Sequence, residues 1–299
     1  MKIISWNILA NEFITQSDYP MIKRKILFNR NERLKNIMQM LLKVNADVML
    51  LQEVMEKEFK ALTQLFKSKY TIVRGKNINW YNKPSASCNI TLLRKTQFKV
   101  LTVYDLEFGI YLRASEAGSS EAGASEVGAS EASSSEAGAN EVIEIINVHL
   151  NDESHLKRIS QIKSIEEVLY KSNKVILGGD FNQVYKVSSQ LYKMIAKAGL
   201  IPTIHEPTYY IEKKMCIDNL MLKGFQLDNR CPIKKNELNC CNRPINKRNK
   251  TKKNVPKNGS CVINKYKNQV ENQFNAYGSD HLLIIANVMG ANVIGAIQI

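Results

Sequence analysis

Polar side chains that could hold a metal ion or a phosphate stand at the ends of several apolar segments of this sequence. In "KVILGGDFNQV", Asp180 and Asn182 follow an apolar run two residues apart, so both side chains point the same way on an extended strand. A polar group at the end of a buried strand costs free energy unless it is paired or binds a ligand. Taken singly, each such residue is explained as a cap, a turn former or a core hydrogen bond. The number of such polar residues in this sequence indicates that they form a shared site.

Five other segments repeat this pattern of a polar group beside an apolar run. They are "SWN", "LLQEV", "NVHL", "IDNLML" and "SDHLLI", and they contribute Asn7, Glu53, His149, Asp218, Asp280 and His281. The oxygen atoms of Glu53, Asn7 and Asp280 suit a hard cation, so the sequence predicts Mg²⁺ or Mn²⁺ as the cofactor. Cysteine and histidine pairs with zinc-ligand spacing are lacking, and so is a GxxxxGK phosphate loop. These absences disfavour a zinc hydrolase and nucleotide-driven catalysis.

Strand patterns and helix patterns alternate along the chain around these residues. The strand patterns are KIISWNI (2–8), DVMLLQEV (47–54), CNITLLRK (88–95), FKVLTVYDLEF (98–108), EVIEIINVHL (141–150), KVILGGDF (174–181), CIDNLMLKGF (216–225) and HLLIIANV (281–288). Helical spacing covers 31–46, 57–68, 153–172 and 188–199. This mixed order predicts an α/β fold in which two β-sheets pack face to face with helices outside.

Residues 114–139 interrupt the pattern with a repeated Ser-Glu-Ala-Gly unit. The repeat has too few large apolar residues to form a core, and it stands between two strand patterns. We therefore interpret it as a loop insertion in a β-hairpin, without a catalytic role.

Residues 223–268 form a second insertion, with thirteen lysines or arginines against two acids. One interpretation is an ordinary solvated loop. The interpretation we favour is a basic arm that contacts phosphates, in which Lys247, Arg248 and Lys250 bind substrate. Residues 1–299 are expected to form a single domain that carries these two insertions as loops.

Composition narrows the class of protein further. The chain has 299 residues with 44% hydrophobic and 23% charged residues, which is typical of a globular domain. Its formal net charge of +14 favours a polyanionic partner, with nucleic acid first and acidic membrane surfaces second. The six cysteines do not resemble a disulfide framework, the N-terminus is typical of a strand rather than a signal peptide, and the apolar tail is typical of a final strand. These features predict an intracellular protein, cytoplasmic or nuclear, without a membrane span.

Taken in order, "SWNILA", "LLQEV", "NVHL", "GGDFNQV", "IDNLML" and "SDHLLI" resemble the motifs of the endonuclease/exonuclease/phosphatase superfamily. The resemblance spans nearly the whole chain outside the insertions and is nearest the poly(A) deadenylase and tyrosyl-DNA phosphodiesterase branches. It implies a four-layer α/β sandwich with the site at one edge. The segment "HLKRISQI" is similar to the helix that follows the "HL" motif, which makes Arg158 a candidate substrate-binding residue; the alternative is an exposed helix face.

The resemblance also implies a role for each candidate residue. Glu53, Asn7 and Asp280 resemble the metal-binding set. Asp180 resembles the residue that orients or deprotonates the attacking water, and Asn182 the residue that hydrogen-bonds the nucleophile or the phosphate. His281, held by Asp218, resembles the group that stabilises charge on the phosphoryl oxygens, with His149 as a second donor.

One position departs from the pattern of the abasic-site endonucleases. They carry an aspartate two residues after the asparagine of the first motif, where this chain has Leu9. The departure weakens an abasic-endonuclease interpretation and leaves the number of metals open.

Three functions are consistent with these observations. The first is a Mg²⁺-dependent phosphodiester hydrolase acting on RNA or DNA, of the 3′-exoribonuclease (deadenylase) type or similar to a tyrosyl-DNA phosphodiesterase, working as a monomer. The second is a phosphatase for an inositol phosphate or a lipid headgroup, and the third is an inactive nucleic-acid-binding module on the same scaffold.

Overall fold

The structure, a computed structural model, describes residues 1–20, 22–80, 83–117, 141–203, 215–227 and 278–289. The strands are β1 (Lys2–Asn7), β2 (Val48–Met55), β3 (Tyr70–Trp80), β4 (Lys83–Arg94), β5 (Phe98–Leu106), β6 (Gly109–Glu116), β7 (Val142–His149), β8 (Lys174–Asp180), β9 (Ile201–Pro202), β10 (Asp218–Lys223), β11 (Gln226–Leu227) and β12 (Ile284–Met289). The helices are α1 (Arg24–Leu27), α2 (Arg30–Val44), α3 (Glu56–Phe66), α4 (His155–Ser164), α5 (Glu166–Lys171) and α6 (Gln190–Lys197), and a 3₁₀ turn covers Asn11–Phe13.

The described strands form two six-stranded sheets. The first sheet has the order β11-β12-β1-β2-β4-β3, and the second sheet has the order β5-β6-β7-β8-β10-β9. Each sheet contains one parallel pair, β1 with β2 and β7 with β8. The other neighbouring pairs of described strands are antiparallel, so both sheets are mixed.

The sheets and helices are arranged in four layers. Between the two sheets lies a core of buried aliphatic side chains that includes Ile3, Val48, Leu50, Ile145, Ile176 and Leu220. α2 and α3 cover the outer face of the first sheet through Ile37, Leu41, Leu62 and Phe66. α4, α5 and α6 cover the outer face of the second sheet through Ile159, Leu169 and Leu191. This arrangement confirms the predicted four-layer α/β sandwich.

The polar residues of the first sheet meet at one edge because of its strand directions. β1 and β2 are parallel, so their carboxyl ends, with Asn7 and Glu53, lie side by side. β12 is antiparallel to β1, which brings residues 278–281, just before β12, to the same edge.

The second sheet presents its polar residues in the same way. His149 and Asp180 are register partners at the carboxyl ends of the parallel strands β7 and β8. Asp218, at the start of the antiparallel strand β10, is the register partner of Asp180 on the other side. The face-to-face packing of the sheets then brings both groups of residues to one end of the sandwich.

The two glycines before Asp180 are needed because β8 runs close to its neighbours. A Cβ atom on Gly178 would lie 2.6 Å from Leu50 Cδ1 in the facing sheet. Gly179 has a φ of +147°, and a Cβ atom there would lie 1.8 Å from the Val148 carbonyl oxygen. A side chain at Gly179 would therefore push β8 away from β7, the strands that carry Asp180 and His149, and one at Gly178 would displace the Leu50 side chain of the facing sheet.

Several element boundaries differ from the sequence prediction. β3 was not predicted, and the predicted helix over 153–172 is two helices that meet at Ile165. β6 continues to Glu116, so residues 114–116 belong to a strand rather than to the predicted loop. β10 includes Lys223, the first residue of the predicted basic insertion. The rest of both insertions, apart from 117 and 224–227, and the tail 290–299 lie outside the described residues. No helix among the described residues is long and apolar enough to cross a membrane.

Candidate active site

A cavity of about 410 Å³ opens at the end of the sandwich where the polar strand ends meet. Its polar lining consists of Tyr19, Glu53, His149, Asp152, Asp180, Asn182, Asp280 and His281, and its apolar lining of Leu9, Phe13, Val184, Met215 and Ile217. Six of the predicted site residues therefore share one cavity. Asn7 and Asp218 do not line it, but both hydrogen-bond to residues that do.

Asn7 connects the acidic residues of the two sheets. Its side-chain amide donates hydrogen bonds to Glu53 Oε1 at 2.7 Å and to Asp180 Oδ2 at 3.1 Å. Its side-chain oxygen accepts a hydrogen bond from the Leu9 backbone N–H at 2.9 Å. The second oxygen of Glu53 accepts from the Ala10 N–H at 2.7 Å. Asn7 therefore fixes the position of one carboxylate from each sheet.

Three of the residues that line the cavity have left-handed backbone conformations. The φ angles are +58° at Leu9, +59° at Glu53 and +46° at Asn182, and the other described non-glycine residue with positive φ is Asn45 at the end of α2. Glu53 lies within an irregularity of the β2–β4 register between Leu51 and Val54, where β2 has one extra residue. Such strained conformations cluster at functional sites. Here the bulge aims the Glu53 side chain into the cavity.

Burial makes the acidic residues of this cavity hard to ionise. It raises the pKa of Glu53 to about 7, although His281 and the hydrogen bond from Asn7 lower it in part. Burial and the neighbouring charge of Asp218 raise the pKa of Asp180 to about 7. Burial also raises the pKa of Asp280 above its ordinary value. Three buried carboxylates in one cavity are an arrangement that a cation would stabilise.

The two histidines of the site differ in charge. Burial lowers the pKa of His281, but the carboxylates of Asp218 and Asp280 outweigh burial and hold that pKa well above 6.5. The His281 Nδ1 atom lies 2.8 and 3.0 Å from the two Asp218 oxygens, so the imidazolium donates to that carboxylate. Burial, and then the charge of His281, lower the pKa of His149 to about 3. His149 is therefore a neutral ring whose Nε2 atom lies 3.7 Å from Asp180 Oδ2.

The tightest group of possible metal ligands among the described residues is Asp180, Asp218 and His281, whose atoms lie within 4.8 Å of one another. A protonated His281 that donates to Asp218 has no lone pair on that nitrogen, so we interpret these two residues as an ion pair rather than as metal ligands. Carboxylate oxygens, the ligand atoms that a hard cation prefers, are supplied to the same cavity by Glu53, Asp280 and Asp180.

A bridge of three buried carboxamides lies directly behind the site and joins the two sheets. Asn147 in β7 donates to the Ile90 and Leu51 carbonyls of the first sheet at 2.8 and 3.2 Å. Its side-chain oxygen accepts from Gln52 at 2.8 Å and from Asn89 at 3.3 Å. Gln52 precedes Glu53, and Asn147 lies two residues before His149, so the bridge sets the distance between the two sheets at the cavity.

The predicted substrate-binding residues are placed differently. Arg158 is buried and does not line the cavity; its guanidinium donates to the Asn151 and Asp152 carbonyls at 2.8 and 3.0 Å and to Gln183 Oε1 at 3.2 Å. Because Arg158 is buried, the alternative interpretation of an exposed helix face is wrong. Lys247, Arg248 and Lys250 lie outside the described residues.

Asn182 is tied to the backbone near the cavity. Its side-chain amide donates to the Leu150 carbonyl at 2.9 Å, and its N–H donates to Asp180 Oδ1 at 2.8 Å. Tyr19 was missed by the sequence analysis; it lines the cavity and donates its hydroxyl to Asp280 Oδ2 at 3.2 Å. A tyrosine in an irregular segment carries no periodic signal, so the sequence pattern could not single it out.

The fold is similar to that of several solved structures at low sequence identity. ANGEL2, described as a 2′,3′-cyclic phosphatase, superimposes with a TM-score of 0.62 at 14% identity, covering 95% of this chain and 93% of that chain. A mannosyl-6-phosphatase from Bacteroides thetaiotaomicron gives 0.54 at 15% identity, covering 76% and 87%. Truncated TDP2 from Caenorhabditis elegans gives 0.53 at 18% identity, covering 97% of both chains.

No curated protein sequence matches this chain. A sequence profile of the Endonuclease/Exonuclease/phosphatase family matches residues 4–186, which contain five of the eight motif residues at the strand ends. The match covers more than half of the chain, and the four-layer fold agrees with it. The chain therefore belongs to the endonuclease/exonuclease/phosphatase family.

Proposed function

We propose that this protein is a Mg²⁺-dependent phosphodiester hydrolase that acts on nucleic acid. The observation that carries the proposal is the convergence of three buried carboxylates and a protonated imidazole in one cavity. A phosphodiester gains negative charge on its non-bridging oxygens in the transition state, and fixed positive groups stabilise that charge. A single cavity that holds both a cation site and an imidazolium suits this reaction.

Each residue has a role that its contacts support. Glu53 and Asp280 hold Mg²⁺, and Asn7 keeps Glu53 in place through its amide. When bound, the ion neutralises charge on the phosphoryl oxygens and lowers the pKa of a coordinated water.

The remaining groups act on the nucleophile and the phosphate. Asp180 orients or deprotonates the attacking water, a role that its position in the cavity and its pKa of about 7, raised by burial, support. His281, held by Asp218, donates to the phosphoryl oxygen that gains charge, and the neutral His149 is a second donor. Asn182 fixes Asp180 through its backbone N–H and contacts the nucleophile or the phosphate.

The net charge of +14 favours a polyanionic polymer over a small substrate. An RNA substrate cut from its 3′ end and a tyrosyl-DNA adduct are both consistent with this site. A phosphatase acting on an inositol phosphate or lipid headgroup is the second candidate, because two structural neighbours are described as phosphatases.

The test is a substrate panel with purified protein in Mg²⁺ or in EDTA. Poly(A) RNA, abasic duplex DNA, 5′-tyrosyl DNA and an inositol phosphate are compared at several salt concentrations. We expect Mg²⁺-dependent cleavage of a nucleic acid with an apparent affinity that falls steeply with salt, because several phosphates are bound at once. Preferential hydrolysis of the inositol phosphate would favour the phosphatase. Binding of nucleic acid without any hydrolysis would favour the inactive module.

A further inference from the structure

Arg33, on the first turn of α2, is a buried arginine that none of the roles above uses. Its side chain is 5% exposed, which is rare for an arginine. Its described hydrogen bonds all go to backbone carbonyls, from Nε to Gly278 at 2.7 Å and from Nη2 to Leu9 at 2.5 Å and Ile8 at 3.4 Å. Among the described residues, no carboxylate lies within ion-pair distance of this guanidinium.

The carbonyls that Arg33 binds belong to the two loops that carry predicted metal ligands. Residues 8 and 9 directly follow Asn7 at the end of β1, and Gly278 comes two residues before Asp280. One planar guanidinium therefore joins a loop at the end of β1 to the loop before β12. The fork geometry of arginine allows both contacts at once, whereas a lysine ammonium is a single point of attachment.

The loop before β12 packs closely against α2 at the same place. Gly278 has a φ of +76°, and a Cβ atom there would lie 2.6 Å from the Arg33 carbonyl oxygen. Beyond Gly278, Ser279 donates its hydroxyl to the Asn7 carbonyl at 2.8 Å. The His281 carbonyl accepts from the Trp6 indole N–H at 3.1 Å. The position of residues 278–281 is thus set by contacts with β1 and α2, and Arg33 is the charged member of that set.

Arg33 also places a permanent positive charge behind the acidic residues. It attracts the Asp280 carboxylate electrostatically. A buried charge is costly unless its donors are satisfied, and here the carbonyls of Ile8, Leu9 and Gly278 accept its hydrogen bonds.

We propose that Arg33 is a positioning residue for the reaction, which holds the loop of residues 278–281 against the end of β1 so that Asp280 and His281 face Glu53 and Asp180. The effect of Arg33 on turnover rests on the proposed function, whereas its effect on the position of the loop does not. Arg33 has no contact with the cavity, so substitutions should change turnover far more than substrate binding.

The experiment compares Arg33→Lys and Arg33→Met with Arg30→Lys, a matched control on the same helix whose half-buried guanidinium pairs with Glu58. Turnover and KM are measured with a chromogenic phosphodiester at saturating Mg²⁺. For Arg33→Lys we expect kcat to fall about 10–100-fold and KM to change less than about threefold, since a misplaced group costs rate rather than binding. Arg33→Met should lose more, and Arg30→Lys should stay within about twofold of the wild type.

A second readout does not depend on activity. The indole N–H signal of Trp6 in a ¹⁵N NMR spectrum, assigned with a Trp80→Phe variant, reports the hydrogen bond to the loop at His281. We expect this signal to shift and its hydrogen exchange to accelerate in Arg33→Lys but not in Arg30→Lys. If Arg33→Lys does not fold, Gly278→Ala perturbs the same contact from the loop side and should give the same two effects.

The outcomes separate the two proposals. A wild-type enzyme that hydrolyses no phosphoester refutes the proposed function, and the Trp6 signal then still decides whether Arg33 positions the loop. A folded Arg33→Lys variant with wild-type kcat and an unchanged Trp6 signal overturns the inference, whatever the wild-type substrate proves to be.

Discussion

Replacing Glu53 by glutamine should abolish activity and make the metal-free protein more stable at alkaline pH. Burial raises the pKa of Glu53 from 4.5 to about 7. Above pH 7, ionisation of the buried carboxylate therefore lowers the free energy of unfolding by about 3 kcal/mol. Glutamine has nearly the same shape but no charge, so it avoids this cost.

Part of the gain is lost because glutamine has one acceptor oxygen where glutamate has two. Either the Asn7 amide or the Ala10 N–H then loses its partner, at a cost of about 1–2 kcal/mol. The net stabilisation is about 1–2 kcal/mol above pH 7, or about 2–6 °C in melting temperature. A carboxyl group with a raised folded-state pKa destabilises the fold only above its unfolded pKa. The advantage of Glu53→Gln should therefore decline between pH 7 and pH 4.5, and below pH 4.5 the lost hydrogen bond should leave the variant slightly less stable than the wild type.

The assay is thermal unfolding of both proteins in EDTA and in Mg²⁺ between pH 4.5 and 8. Mg²⁺ should stabilise the wild type, by about 2.7 kcal/mol at a hundredfold excess over Kd, and should stabilise Glu53→Gln much less. The order of the two melting temperatures should thus reverse when Mg²⁺ is added at pH 8. Glu167→Gln, in an exposed pair with Lys171, is the control and should change neither midpoint. A Glu53→Gln protein that melts below the wild type in EDTA at pH 8 would refute the reasoning.

Four further predictions concern other parts of the molecule. Asp218→Asn removes the carboxylate that holds His281 and should lower kcat about 10²–10³-fold with little change in KM, as steady-state kinetics with a phosphodiester would show. Asn147→Ser removes four hydrogen bonds by which the Asn147 side chain bridges the sheets, each worth about 0.5–1.5 kcal/mol, so urea unfolding should show a loss of about 2–6 kcal/mol. A loss below about 1 kcal/mol would contradict the bridge. Deleting residues 118–139 should leave kcat and KM nearly unchanged. Neutralising the lysines in 247–257 should weaken cleavage of a polymer more than cleavage of a small phosphodiester. Equal losses on both substrates would contradict a phosphate-binding arm.

The alternation of strand and helix patterns predicted two packed sheets with helices outside, and the resemblance to a known superfamily implied the four-layer sandwich. Asp180, His149 and Asp218 were singled out because each lies where an apolar run begins or ends, and the pairing of β8 with β7 and β10 brings them together. The long strand β3 was missed because its sequence, YTIVRGKNINW, mixes polar residues into a strand at the edge of a sheet. An edge strand packs on fewer neighbours, so its pattern of burial is weaker.

The details that give the site its chemistry depend on contacts that a periodic pattern does not encode. The bulge at Glu53 adds one residue to β2 relative to β4, and neither strand carries a glycine there that would signal it. Arg158 is a similar case: the helical pattern placed it on α4 correctly, but its buried contacts with Asn151 and Gln183 follow from how the neighbouring loops fold back. Pairings between distant loops are set by tertiary packing, which a single sequence does not reveal.

The site is divided between the two sheets, and this division explains why polar residues persist in the core behind it. Glu53 belongs to the first sheet and Asp180 to the second, so any sliding of the sheets would change the distance between them. An apolar core resists separation but specifies sliding only weakly, because one aliphatic contact can replace another. The hydrogen bonds from Asn147 to Leu51 and Ile90 allow only one alignment. The buried carboxamides therefore fix the distance between Glu53 and Asp180, at some cost to the stability of the core.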